Sequence, residues 1–411
     1  MSIRKRNWTN GKGEEKTAWV VDYVDTKGTR RLKTFTKKKD ADQFAATAKV
    51  EVREGIHVAD SASATVKQAG AFWIASGEAA GLERTTIESY RAHLRLHIVP
   101  LIGETRLTAL TIPAVRAFED ELREGERSPA MIRKVMVSLG SLLADAQERG
   151  LTGRNVVRDI RGRRGGGERR QEKRHKGRLK VGEDIPTRDE IKAIVGALEG
   201  RWRPLLLTAI FTGLRASELR GLRWKDVDLE KREIRVHQRA DRFNAIGKPK
   251  SISGERAVPA PPMVINALRE WKLVCPKRDT GRVDGNGNKV MVLDLVFPNG
   301  FGHVEQLNNI VRRGFQPTQV RAMVAIDTGE VDEKGQPILE AKYKGLHALR
   351  HFYASWCINR LVDGGLGLPA KVVQERLGHS SITMTMDVYG HLFPRGDDGA
   401  ELAAAEAALL S

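Results

Sequence analysis

At 411 residues, 40% of them hydrophobic, the chain is long enough for two or three domains with ordinary cores. No apolar run has the length of a membrane span, no apolar signal segment follows Met1-Ser2-Ile3-Arg4-Lys5-Arg6, and Cys275 and Cys357 are too few for a disulfide framework, so the expected setting is a reducing cytoplasm without a membrane partner. The formal net charge of +18 calls for a polyanionic partner, with DNA the leading candidate.

In chain order, residues 1–60 read as a small β-sheet plus a helix. Residues 18–24 (Ala-Trp-Val-Val-Asp-Tyr-Val) are strand formers, Asp25-Thr-Lys-Gly28 is a turn signal, and residues 30–35 offer a second strand. Ala41, Phe44, Ala45, Ala48 and Val52 then follow helical spacing. Residues 63–160 read as helical throughout. The predicted segments are 65–75, 85–97, a third opened by Ile112-Pro113, and a fourth opened by Ser128-Pro129. In the second, Ile87, Tyr90, Leu94 and Leu96 are expected to face inward, with Pro100 and Gly103 ending it.

Residues 161–180 carry ten Lys or Arg against Glu168 and Glu172, a local charge of +8. Such a block repels itself and stays extended unless it meets phosphates, so 161–184 is expected to be a basic linker. Residues 185–395 form the next expected domain. It opens with the capping box Thr187-x-x-Glu190, continues into an apolar helix over 204–211, and includes strands at 233–236 and 256–259. Asp284-Gly-Asn-Gly287 and residues 330–337 read as turns of surface hairpins. An Ala- and Leu-rich segment, 400–410, predicts a tail helix within 396–411.

Chemistry concentrates near the C-terminus. His347, Arg350 and His351 stand at i, i+3 and i+4, on one face of a predicted helix. A second helix near Pro369 ends at Leu377-Gly378-His379, and Tyr389 follows ten residues later. A face of Arg and His before a tyrosine suits attack of a phenol oxygen on a phosphodiester whose charge is held by cations. Upstream, Thr212-Gly213-Leu214-Arg215-Ala216-Ser217-Glu218-Leu219 supplies another arginine. His347, His351, His379 and His391 could also be taken for a metal cluster. Against that, no Glu lies between the first two, no carboxylate follows at a ligand spacing, and no cysteine pairs with them, so no metal and no cofactor is expected.

These two motifs resemble the signature of the tyrosine recombinases, the phage integrase family. The resemblance is close over about 185–395 and looser upstream. It implies a multidomain, mainly α fold with small β-sheets: an arm-site DNA-binding-like domain (1–60), a helical core-binding, SAM-like domain (63–160) and a mixed α+β catalytic domain. It also implies a site-specific recombinase, independent of metal and ATP, that integrates or excises a phage or mobile element. Tyr389 would be the nucleophile, forming a 3′-phosphotyrosyl bond, with Arg215 and Arg350 on the phosphate, His347 and His379 handling hydrogen bonds and protons, and Glu218 fixing the Arg215 loop. Leaving-group protonation falls to a hairpin lysine before Arg256-Ala257-Val258-Pro259; Lys250 fits the spacing and Lys248 is the alternative. Arg91, Arg95, Lys134, Arg163, Arg164, Arg169 and Arg170 are the expected DNA contacts. The implied partners are double-stranded DNA attachment sites, three further copies in a homotetramer on synapsed DNA, and a directionality factor or host DNA-bending protein, at the nucleoid of a prokaryotic cytoplasm. A type IB topoisomerase and a non-cutting DNA-binding regulator are the alternatives.

Overall fold

A computed structural model describes the chain except for residues 10, 12–14, 27, 161–177, 250, 286 and 395–397. Lys250, Arg163, Arg164, Arg169 and Arg170 therefore lie outside the described residues. The chain divides into two compact units, Met1–Arg164 and Gly165–Ser411.

The first unit begins with a three-stranded antiparallel sheet, β1 (Ser2–Thr9), β2 (Glu15–Val24) and β3 (Arg30–Phe35), with β2 central. Strand β1 has no counterpart among the predicted elements. Its polar sequence carries little strand signal of its own, and its pairing along most of β2, from Ser2 opposite Asp22 to Thr9 opposite Glu15, holds it in place. Helix Lys38–Arg53 lays Ala41 and Ala45 on Val21 and Tyr23, where small side chains allow close approach to the sheet.

Four main helices follow: Val66–Ala79, Arg84–His93, Ile112–Glu124 and Pro129–Glu148. Thr65 and Gln68 form a reciprocal capping box on the first. The last is the spine of this core and buries Ile132, Val135, Leu139, Leu142 and Leu143. Two expectations fail here. Pro100 does not end the second helix; the helical path runs on through a π segment, Leu94–Ile98, into Val99–Ile102. The π segment directly before Pro100 already departs from the i→i−4 hydrogen-bond ladder, so the proline ring and its missing N–H are accommodated there without ending the helix. Leu96 does not face inward but is 55% exposed, and His97 and Ile98 are buried instead, because the wider π turn rotates the inward face.

In the second unit, helix Trp202–Thr212 is apolar on nearly every side and is buried from Pro204 to Ile210. Around it pack the helices Arg188–Gly196, Pro262–Val274 and His347–Ile358 and the sheet β4 (Val227–Asp228), β5 (Glu233–Val236), β8 (Arg256–Pro259). Ile234 opposite Val258 places two fully buried side chains on that sheet's core face. Three hairpins belong to this body, the second and third largely exposed. These are β6 (Arg239–Ala240) with β7 (Ile246–Gly247), β9 (Arg278–Val283) with β10 (Lys289–Val292), and β11 (Ala325–Val331) with β12 (Pro337–Ala341). The end of the expected linker is folded onto the same body. The Lys180 carbonyl accepts from the amides of Glu183, Asp184 and Ile185, and His391 Nε2 lies 2.7 Å from the Leu179 carbonyl. The chain closes with helices Ala370–Leu377, Ile382–Tyr389 and Asp398–Leu410, the last exposing Leu402, Leu409 and Leu410. Among the described residues no helix is long and apolar enough to cross a membrane.

Candidate active site

The site is built around one turn, Leu377-Gly378-His379. Gly378 takes φ +63°, and the left-handed cap stops helix Ala370–Leu377 there. A Cβ on Gly378 would also press on the Arg256 guanidinium. Two adjacent carbonyls of the turn then receive the two motif arginines. Arg350 donates to Leu377 O at 2.6 Å and Arg215 to Gly378 O at 2.9 Å. Arg350 also donates to Gly213 O at 2.7 Å. Gly213, at φ +60°, ends helix Trp202–Thr212 against the ring of Tyr353, so both its conformation and its crowding require glycine. Residues 135 positions apart in sequence are thereby brought to one turn.

Glu218 is the electrostatic centre beneath it. This carboxylate is 3% exposed. It accepts from Arg215 Nη1 at 2.8 Å, from the Arg215 amide at 2.9 Å, and from both Nη atoms of Arg256 at 2.8 and 3.1 Å. Arg256 also donates to Arg376 O and Gly254 O, tying β8 to the Leu-Gly-His turn. The expected part for Glu218, holding the Arg215 loop, describes its contacts. The Arg256 link was not read from the sequence, although Arg256 stands in the Arg-x-Val-Pro segment used there to place the expected lysine. Burial pushes the Glu218 carboxyl up, but Arg256 and then Arg215 outweigh it and hold the group below the usual carboxylate range.

Because Glu218 has a lower pKa folded than unfolded, its contribution is complete above the unfolded value of about 4.3 and is lost as pH falls through the lower folded value. Glu218→Ala removes one partner of a buried pair and is expected to cost about 3–5 kcal/mol at pH 7. Urea midpoints at pH 7 and pH 3 check it; the gap between parent and variant should shrink at the lower pH.

Arg350 is 2% exposed, and burial, then the neighbouring Arg215, pull its guanidinium down to about 9, still cationic at neutral pH. Arg215, at 35% side-chain exposure, and His347 are the members of the group open to solvent. The packing around His347, then Arg350 and Arg215, lower its pKa. His379 is buried, and burial, then Arg350 and Arg215, lower it to about 4. Its Nδ1 lies 2.9 Å from the Thr385 hydroxyl, a contact that fixes the ring.

Tyr389 closes the site from the next helix. Its ring lies parallel to that of His379, 6.2 Å away, and its hydroxyl is 2.8 Å from His351 Nδ1. It is 1% exposed, and burial pushes its hydroxyl up to about 12 against the pull of Arg350 and Arg215. The structure thus brings Arg215, His347, Arg350, His379 and Tyr389 together. Lys248 is exposed just beyond β7. In the other unit Arg91 pairs with Glu78 and, at 3.5 Å, Glu88, while Arg95 and Lys134 are exposed on helical surfaces. Among the described residues no three His, Cys, Asp or Glu side chains form a group able to hold a metal ion.

Comparison with known proteins decides the class. The model of the phage integrase family matches residues 186–395, half of the chain and the whole of this site. The chain belongs to the phage integrase family. Members of that family are tyrosine recombinases. A XerC-like tyrosine recombinase of Caldanaerobacter subterraneus subsp. tengcongensis is 31% identical over 224 residues, 50% of each chain, so the recombinase spans about half the length of that relative. The integrase of Mycobacterium phage D29 is 26% identical over 286 residues, 66% of this chain and 71% of that one. The Tn1549 transposon integrase, solved with transposon right end DNA, superposes with a TM-score of 0.59 at 20% identity, covering 84% of this chain and 100% of that one; at that identity the likeness is one of fold. The recombinase's mainly helical architecture with small sheets agrees with it.

Proposed function

We propose that this recombinase integrates or excises a phage or mobile element, with Tyr389 as the nucleophile and Arg215, Arg350, His347 and His379 as the phosphate site. The observation that carries the assignment is the convergence of the two arginines on neighbouring carbonyls of the Leu377-Gly378-His379 turn, beside the Tyr389 ring. Two guanidinium groups neutralise the phosphodiester and its transition state. The Tyr389 oxygen attacks phosphorus, the 3′-phosphotyrosyl ester forms, and the 5′-oxygen leaves with a proton from a hairpin lysine, Lys250 or Lys248. Attack by a second strand's 5′-hydroxyl reverses the step, and the ester conserves the bond energy. The names of the phage D29 integrase and the Tn1549 integrase support a mobile-element role. A nicked duplex that loses its 5′-end on cutting tests the reading: the recombinase should become covalently attached to DNA, as a regulator that does not cut cannot.

In this reading residues 1–60 bind arm sites, 63–160 bind the core site with Arg91, Arg95 and Lys134 on phosphates, and the 161–184 linker contacts DNA through Arg163, Arg164, Arg169 and Arg170. The enzyme works in the cytoplasm at the nucleoid, as a homotetramer on paired attachment sites, with a directionality factor or host DNA-bending protein. A lambda integrase tetramer bound to a Holliday junction, of like fold, supports the tetramer. Deleting 1–60 is expected to leave cleavage of a short core-site duplex intact and to cripple recombination between full-length sites. Equal recombination by both proteins on a full-length site removes the arm-domain assignment.

A further inference from the structure

The Tyr389 hydroxyl must lose its proton as it attacks, and burial makes that proton harder to remove. Among the described residues its hydrogen bond goes to His351, whose Nδ1 is 2.8 Å away. His351 immediately follows Arg350, on a buried helix, so its ring is held by the same element that carries the phosphate clamp. The other imidazoles are placed differently. His379 meets Tyr389 ring to ring and its Nδ1 is taken by Thr385, while His347 packs edge-on against His351 with ring centres 4.5 Å apart.

Building on the proposed roles above, we propose that His351 is the general base that takes the proton from Tyr389. As the bond from the tyrosine oxygen to phosphorus forms, the O–H bond breaks and its proton moves to Nδ1, leaving an imidazolium. The bond from phosphorus to the 5′-oxygen breaks on the opposite side, and that oxygen takes its proton from the hairpin lysine. In the return step the incoming 5′-hydroxyl gives its proton to that lysine and His351 returns its own to the departing phenolate. No oxidant or cofactor enters the balance.

The surroundings of His351 suit the part. Burial first, then His347 and Arg350, lower its pKa to about 4, with Asp184 pulling the other way. It is therefore neutral near pH 7 and free to accept at Nδ1 when its proton sits on Nε2. A charged product imidazolium would be costly in the empty site. The bound phosphodiester supplies the compensating negative charge, so the base gains strength when substrate is present.

Single-turnover cleavage of the nicked duplex by His351→Ala and His351→Asn tests this, with oxygen or sulfur at the bridging 5′ position. Asn keeps a hydrogen-bonding group near the Nδ1 position but cannot accept a proton, so it separates base from mere positioning. Both variants should bind DNA like the parent and cut about 10²-fold more slowly, the usual size of a general-base contribution. A sulfur leaving group needs no proton, so it should not restore them, and their rates should climb with pH as the phenol ionises in solution. Asn cutting at close to the parent's rate, or full rescue by sulfur, overturns the idea. If the parent itself forms no covalent adduct, it is the nucleophile assignment that has failed, and if only the variants match the parent, His351 alone is misassigned.

Discussion

Tyr389→Phe should abolish covalent attachment to DNA while leaving binding close to the parent's. Only one oxygen is removed, and the ring that packs parallel to His379 among Tyr353, Val373 and Leu377 stays in place. Losing the hydrogen bond to His351 replaces a neutral pair at 2.8 Å by an apolar edge, a change of about 1 kcal/mol in stability against total loss of the chemical step. Electrophoresis of protein on a labelled nicked duplex under denaturing conditions reads the adduct directly, and a gel shift reads binding. An adduct formed by the Phe variant would remove Tyr389 from the mechanism.

Arg215→Ala and Arg350→Ala should each slow cleavage by about 10² or more, the loss seen when a preorganised donor to a transition-state charge is deleted. Their costs to folding should differ, because their surroundings differ. Arg350 is 2% exposed and donates from one Nη to Gly213 O and from the other to Leu377 O. Its deletion leaves two carbonyls without a donor and should lower stability by about 1–3 kcal/mol as well. Arg215 is partly open to solvent, and Arg256 still holds Glu218 when it is gone, so its variant should melt nearer the parent and show a nearly pure kinetic defect. Arg350→Lys should behave like the alanine variant in cleavage, since an ammonium cannot bridge two carbonyls in a fixed plane and still face a phosphate. Rates near the parent's for either alanine variant would end the phosphate-clamp assignment.

The residues of the site were legible before the fold because their chemistry imposes short-range patterns. One helix turn between His347 and His351 puts them on a common face, and a Leu-Gly-His stop needs a glycine that tolerates a left-handed backbone. Local rules also covered the Thr187–Glu190 capping box, the buried 204–210 helix and the pairing strands 233–236 and 256–259. The misses came where partners lie far apart in sequence. Strand β1 exists because β2 offers it a full edge, and the π segment at Leu94–Ile98 shifts the buried face by an amount that no 3.6-residue period contains. The sequence by itself determined the family and the order of the motifs, and it singled out the arginines, histidines and tyrosine as candidates, because each is a residue type that suits phosphodiester chemistry. Tertiary structure decided that Glu218 joins Arg215 to Arg256, that both motif arginines hang from adjacent carbonyls, and that His351 takes the Tyr389 hydroxyl. Hydrogen bonds act over about 3 Å in space whatever the separation along the chain, and His351 and its partner stand 38 positions apart.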